Sequence, residues 1–105
     1  MKRVGFQFKV RTDRLEEYQR LHQDVWPEML AALREAGWHN YTLFMRDDGL
    51  VFGYFETEES LQAAQEKMAE TEVNARWQAF MSRFTDDQGR PDESFVELAE
   101  YFHLD

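Results

Sequence analysis

The residues best suited to chemistry lie close together in residues 16–41, EEYQRLHQDVWPEMLAALREAGWHNY. Set on a helix at about 100° per residue, Leu15, Tyr18, His22, Val25, Trp26, Met29 and Leu33 share one face. His22 stands near the centre of that stripe, where another leucine is expected. Tyr18 and Trp26 lie one turn to either side, at the spacing that lets side chains touch. Gln19, Tyr18, Val25 and Trp26 occupy the flanking positions, so no carboxylate there holds the imidazole as a permanent ion pair. Burial lowers a histidine pKa, and an imidazole near neutrality moves protons in both directions. The competing reading is a core-edge histidine with one ring nitrogen bonded to a backbone carbonyl.

Other chemistries find less support in the residue types. His22, His39 and His103 form no ligand cluster, there is no cysteine, and neither H-x3-H nor HExxH occurs. No metal site is therefore expected. A Gly-rich phosphate loop, a Ser-His-Asp order and a G-x-S-x-G elbow are all missing from the sequence. By themselves, Trp77 and Tyr41 read first as packing residues, and the acidic residues as a solvated face.

The elements that must position His22 can be read along the chain. Residues 2–10 alternate, with Val4, Phe6, Phe8 and Val10 on one side, which predicts a strand. Thr12 and Asp13 open a helix, with Asp13 and Glu16 at capping-box spacing, and the helix runs to about residue 35. Pro27 predicts a kink or break between His22 and Met29. Strands follow at 39–46 and 50–56, joined at Asp47-Asp48-Gly49, a hairpin signal. Thr57 is expected to cap a helix whose inner edge is Leu61, Ala64 and Met68. Thr71 restarts a helix carrying Val73, Trp77, Phe80, Met81 and Phe84. A polar loop, 85–94, leads to a last strand over 95–102.

This β-α-β-β-α-(α)-β order predicts an α+β fold of ferredoxin-like type: a four-stranded antiparallel sheet with helices on one face. The later strands are apolar on both faces, and the helices can cover one. A second copy of the chain is the expected cover for the other, which makes a homodimer and a dimeric α+β barrel. With 105 residues, a single domain spanning 1–105 is expected. The 12 basic and 21 acidic residues leave a net charge of −9, which disfavours nucleic acid as a partner and favours a neutral or cationic ligand. No run of about 18 apolar residues exists to span a membrane. The alternating N-terminus does not read as a signal peptide, so a cytoplasmic location is expected.

The run EEYQRLHQDVWPEMLAALREAGWHNYTLF resembles the L-rhamnose mutarotase family, which shares EYxxxHxxxWPE and a following G-x-x-N-Y. TEVNARWQAFM near residue 80 resembles that family's second motif, and EYFHLD its last strand. The resemblance covers nearly the whole chain. It implies a dimerising ferredoxin-like protomer that interconverts the α and β anomers of L-rhamnopyranose without metal or organic cofactor. It also implies that His22 is the proton donor and that Tyr18, Tyr41 and the Trp77-Gln78 pair contact the sugar. Trp26 is suited to the sugar's methyl and C–H faces. Many relatives carry two adjacent tryptophans where this chain has Trp77 and Gln78, so an amide replaces one stacking ring. Two other readings use the same elements: a cofactor-free monooxygenase of the dimeric α+β barrel type, and a binding dimer without catalysis.

Overall fold

A computed structural model describes residues 1–85 and 90–105. Four strands, β1 (Lys2–Lys9), β2 (His39–Met45), β3 (Leu50–Thr57) and β4 (Val96–Leu98), form one antiparallel sheet in the order β2-β3-β1-β4. This is the ferredoxin-like order predicted from the sequence. The alternation of β1 decides which face is covered. Val4, Phe6 and Phe8 are buried, together with Val51 and Phe55 of β3. The helices α1 (Leu15–His22), α2 (Pro27–Glu35), α3 (Leu61–Ala69) and α4 (Glu72–Met81) supply Tyr18, Met29, Leu61, Ala64, Met68, Trp77 and Met81 to the same core.

Phe6 is the hub of this layer. Its ring lies against those of Phe55, Trp38, Tyr41 and Phe95, with Phe95 closest at 4.1 Å between centroids. Gly53 faces Phe6 across the ladder and makes room for it: a Cβ there would sit 2.3 Å from Phe6 Cζ. The hairpin turn forms as predicted, with Gly49 at φ +89° and Asp48 Oδ1 accepting from the Leu50 N–H.

Pro27 breaks the first long helix. Helix α1 stops at His22, Trp26 adopts an extended conformation, and α2 starts with Pro27 in its first turn. Other local expectations are corrected. Asp13 makes no capping box with Glu16, because residues Thr12–Arg14 form a 3-10 turn and Arg11 takes the Asp13 carboxylate at 2.8 Å. Thr57 is the buried last residue of β3, and Ser60 caps α3, its Oγ accepting from the Ala63 N–H at 3.0 Å. Thr71 caps α4 as predicted. Strand β4 is three residues long, not the eight of 95–102. Phe95 turns inward onto Phe6, and residues 99–105 leave the sheet as an exposed tail. Of the expected polar loop, residues 86–89 lie outside the described residues, while Pro91–Glu93 form a 3-10 turn with Pro91 buried.

The other sheet face carries an apolar row. Phe44 pairs with Phe52, Phe52 with Gln7, and Gln7 with Val96. Phe44, Phe52 and Val96 remain 60%, 39% and 56% exposed. Among the described residues, no helix is long and apolar enough to cross a membrane.

Candidate active site

Where α2, α3 and α4 meet the inner face of the sheet they enclose a cavity of about 360 Å³. That is near the lower end of the range for small-molecule sites. Its apolar wall comes from Met29, Leu33, Met68 and Phe95. Its polar groups come from His22, Tyr41, Gln65, Asn74, Gln78 and Asp92, with Trp77 between the two. An apolar wall facing converging polar groups suits a neutral, hydroxylated ligand that has an apolar side.

His22 is fixed by the last turn of α1. Its Nδ1 lies 2.9 Å from the Tyr18 carbonyl oxygen. A carbonyl only accepts, so Nδ1 carries the hydrogen and, in the neutral ring, Nε2 carries a lone pair. No group among the described residues bonds Nε2. Burial pushes the His22 pKa below the ordinary 6.5, and the bond to Tyr18 opposes that shift only in part. The ring is held from two sides. Tyr18 lies tilted against it at 4.3 Å between centroids, and Trp77 meets it edge-on at 5.5 Å. The competing reading of His22 was right about the carbonyl bond, yet the same bond leaves the second nitrogen free.

Tyr41 reaches the cavity because it alternates with Leu43 and Met45 on the inner side of β2, and an irregularity before it parts His39 from that side. His39 pairs with Glu56 and Thr42 with Tyr54, so Asn40 and Tyr41 together oppose one residue of β3. Asn40 absorbs the extra residue at φ +53°. Tyr41 lies inward against Phe6, Trp38 and Phe55, while the bulge pairs His39 with Glu56 and so puts His39 on the outer side. Strict alternation would put His39 and Tyr41 on one side, and the bulge separates them. Burial raises the Tyr41 phenol pKa strongly, with the charges of Tyr18 and Asp92 adding to it, and burial raises that of Tyr18. Both phenols therefore stay protonated at neutral pH, and neither hydroxyl has a partner among the described residues.

Of the residues singled out from the sequence, His22, Tyr41, Trp77 and Gln78 line the cavity, whereas Tyr18 and Trp26 stand behind it. The break at Pro27 removes Trp26 from the helical register with His22. Its ring instead packs edge-on against Trp77 at 5.0 Å and parallel to Phe80. Trp77 thus takes the place beside His22 that helical spacing gave to Trp26. Among the described residues no group of three or more His, Cys, Asp and Glu side chains is placed to hold a metal ion.

The comparisons with known proteins agree. A family model described as L-rhamnose mutarotase matches residues 3–104. The chain belongs to the L-rhamnose mutarotase family. It is 38% identical to an L-rhamnose mutarotase of Oceanobacillus iheyensis and 37% identical to one of Bacillus subtilis, each alignment covering 100% of both chains. Its fold matches a crystal structure of an L-rhamnose mutarotase from Formosa agariphila with a TM-score of 0.79 at 25% identity, over 100% of both chains. These matches favour the mutarotase reading over the oxygen-consuming and non-catalytic ones.

Against the mutarotase pattern of two adjacent tryptophans, the surroundings of Gln78 take on meaning. Gln78 is buried, its Nε2 donating to Asn74 Oδ1 at 3.1 Å and its Oε1 accepting from the Asp92 N–H at 3.2 Å. Asn74 Nδ2 donates in turn to Asp92 Oδ2 at 3.2 Å, and Gln65 Nε2 donates to the Asp92 carbonyl at 2.7 Å. Gln65, Asn74 and Asp92 went unnoticed in the sequence. The i, i+4 spacing of Asn74 and Gln78 was the available signal. Nothing local ties Asp92 to either.

Proposed function

We propose that this protein is a homodimer that interconverts the α and β anomers of L-rhamnopyranose, with His22 moving the proton. The observation that carries the reading is His22 itself: Nδ1 is committed to Tyr18, and Nε2 is left to a ligand on the wall of a sugar-sized cavity.

Mutarotation opens the pyranose ring, lets the aldehyde turn over, and closes the ring again. The neutral Nε2 accepts the anomeric hydroxyl proton as the bond between the anomeric carbon and the ring oxygen breaks. The hydroxyl oxygen and the ring oxygen are attached to one carbon, so the resulting imidazolium can hand the same proton to the ring oxygen. Closure runs these transfers backwards on the other face of the aldehyde. His22 is thus a base before it is a donor, which refines the donor role implied by the family pattern. A proton-transfer group of this kind gives about 10²–10⁴-fold. Protonated Tyr41 donates a hydrogen bond to an oxygen that gains charge, and Tyr18 orients the imidazole. Trp77 offers a ring face to the sugar's C–H groups, with Met29, Leu33 and Met68 around its methyl.

The homodimer reading is supported by the exposed row of Phe44, Phe52 and Val96, an apolar sheet face that a second copy can cover. The test of the activity is saturation-transfer NMR of L-rhamnose: irradiating one anomeric proton should deplete the other far faster with protein than without. An exchange rate equal to that in buffer rejects the activity.

A further inference from the structure

We propose that Asp92 is a substrate-contacting residue whose carboxylate accepts a hydrogen bond from a sugar hydroxyl, and that Gln78 and Asn74 are the positioning residues that hold it there. The proposal rests on the mutarotase reading of the site and adds a specificity determinant to it.

The argument starts from how completely Asp92 is fixed. Its N–H donates to Gln78 Oε1 at 3.2 Å and its carbonyl accepts from Gln65 Nε2 at 2.7 Å. Oδ2 accepts from Asn74 Nδ2 at 3.2 Å and from Arg90 Nη2 at 3.0 Å, and Oδ1 accepts from Arg90 Nε at 3.2 Å. Side chains from two helices, α3 and α4, and from Arg90 converge on a single residue in a short 3-10 turn. A surface aspartate paired with the arginine two residues before it needs none of this.

Position and chemistry give the restraint a purpose. The Asp92 side chain is 19% exposed, and it borders the cavity that His22, Tyr41 and Trp77 line. A carboxylate offers about four lone-pair positions, and three are filled, so Oδ1 keeps one for a donor in the cavity. Arg90 offsets the charge, which limits the cost of keeping it half-buried. Hydrogen bonds to an ionised acceptor are about twice as strong as neutral ones. A sugar hydroxyl is a good donor, and the apolar residues of the cavity supply none. A pocket built to bond one hydroxyl discriminates against sugars that lack it, because the buried acceptor is then left unpaired. Gln78 then has a role that a second tryptophan could not fill: its amide carbonyl holds the Asp92 N–H, and its amide N–H holds Asn74.

The test measures dissociation constants by NMR titration and exchange rates by saturation transfer, for L-rhamnose and its 2-, 3- and 4-deoxy analogues. Asp92→Asn should weaken L-rhamnose binding about tenfold or more while the exchange rate at saturation changes far less. One deoxy analogue should bind the native protein about tenfold more weakly than L-rhamnose, and Asp92→Asn should erase that difference. Gln78→Ala should shift binding in the same direction and add little on top of Asp92→Asn. Arg90→Gln removes the ion pair but keeps the carboxylate, so it should preserve discrimination among the deoxy sugars. If Arg90→Gln reproduces Asp92→Asn, Asp92 is a structural partner of Arg90 and the proposal is overturned. If Asp92→Asn does not fold, Asp92→Glu moves the carboxylate by one methylene. A changed order of the analogues then supports the proposal, and an unchanged order overturns it. A native protein that binds L-rhamnose without speeding anomer exchange would sink the mutarotase reading, and the binding arms would still decide the role of Asp92.

Discussion

Replacing His22 with asparagine separates chemistry from packing. The native side chain does two things. Its Nδ1–H bond to the Tyr18 carbonyl, at 2.9 Å, contributes about 1 kcal/mol net. Its ring fills the space between Tyr18 and Trp77, whose centroids lie 4.3 and 5.5 Å from its own. An asparagine amide can donate to the same carbonyl but does not fill that space, and a partial void of this size costs about 1 kcal/mol. His22→Asn should therefore lose about 2 kcal/mol at most, a fall in Tm of about 8–16 °C. The catalytic loss is larger. An amide neither takes nor returns a proton near neutrality, so anomer exchange should fall by about 10²–10⁴-fold, equivalent to about 3–5 kcal/mol of barrier. The assay is saturation transfer between the anomeric protons of L-rhamnose, with a thermal melt of the same sample. A folded His22→Asn protein with native exchange would refute the proton-transfer role. A variant that cannot fold would show that His22 is a core residue first. Tyr18→Phe makes a useful companion, since it keeps the ring and carbonyl that hold His22 and should cost less.

With His22 Nε2 as the proposed base, the acid limb of the pH–rate profile should have its midpoint below 6.5, since burial depresses the pKa of the ring; a midpoint at or above 6.5 would contradict the assignment. The same depression means that the unfolded chain binds more protons than the folded one between the two values. His22 thus contributes stability that is full above about 6.5 and is lost as pH falls through the folded-state value, which urea melts across that range can follow. Gly53→Ala should destabilise the fold by about 1–3 kcal/mol, since the new Cβ would lie 2.3 Å from Cζ of the fully buried Phe6; an unchanged urea midpoint would show that Phe6 yields freely. Sedimentation equilibrium at micromolar concentration should give a dimer that Phe44→Glu or Phe52→Glu dissociates, and a native monomer would exclude the outer face as an interface.

Much of the fold was legible because its signals are local and periodic. The alternation of Val4, Phe6 and Phe8 names the inner face of β1, and Asp-Asp-Gly marks the hairpin. Pro27 marks the helix break, since its missing N–H and the restriction on Trp26 act within the chain's own neighbourhood. What failed was set by partners distant in sequence or by competition between near-equal signals. Asp13 had the spacing for a capping box, but a guanidinium two residues earlier took the carboxylate. Thr57 was the expected cap of α3 and Ser60 is the actual one. The ladder with β1 extended β3 through Thr57 and left the cap to Ser60.

The site divides along the same line. His22 and Tyr18 lie one turn apart on one helix, so their pairing follows from spacing alone. Tyr41 follows from alternation with Leu43 and Met45, whereas the bulge at Asn40, which no pattern of apolar residues announces, parts His39 from that side. Trp77 holds the place that spacing gave to Trp26 because Trp26 lies in the four-residue break between α1 and α2 and leaves their register. Gln78 shows the limit most clearly. Read along the chain, it is a tryptophan position with its ring missing, and the natural inference is a weaker grip on the sugar. In the folded molecule both ends of its amide are engaged, one by Asn74 and one by the backbone of Asp92, and a tryptophan, which only donates, could not accept from Asp92. The loss of a stacking surface is therefore tied to the presence of a fixed carboxylate on the same wall, and the two are best understood as one change in how the pocket holds its ligand.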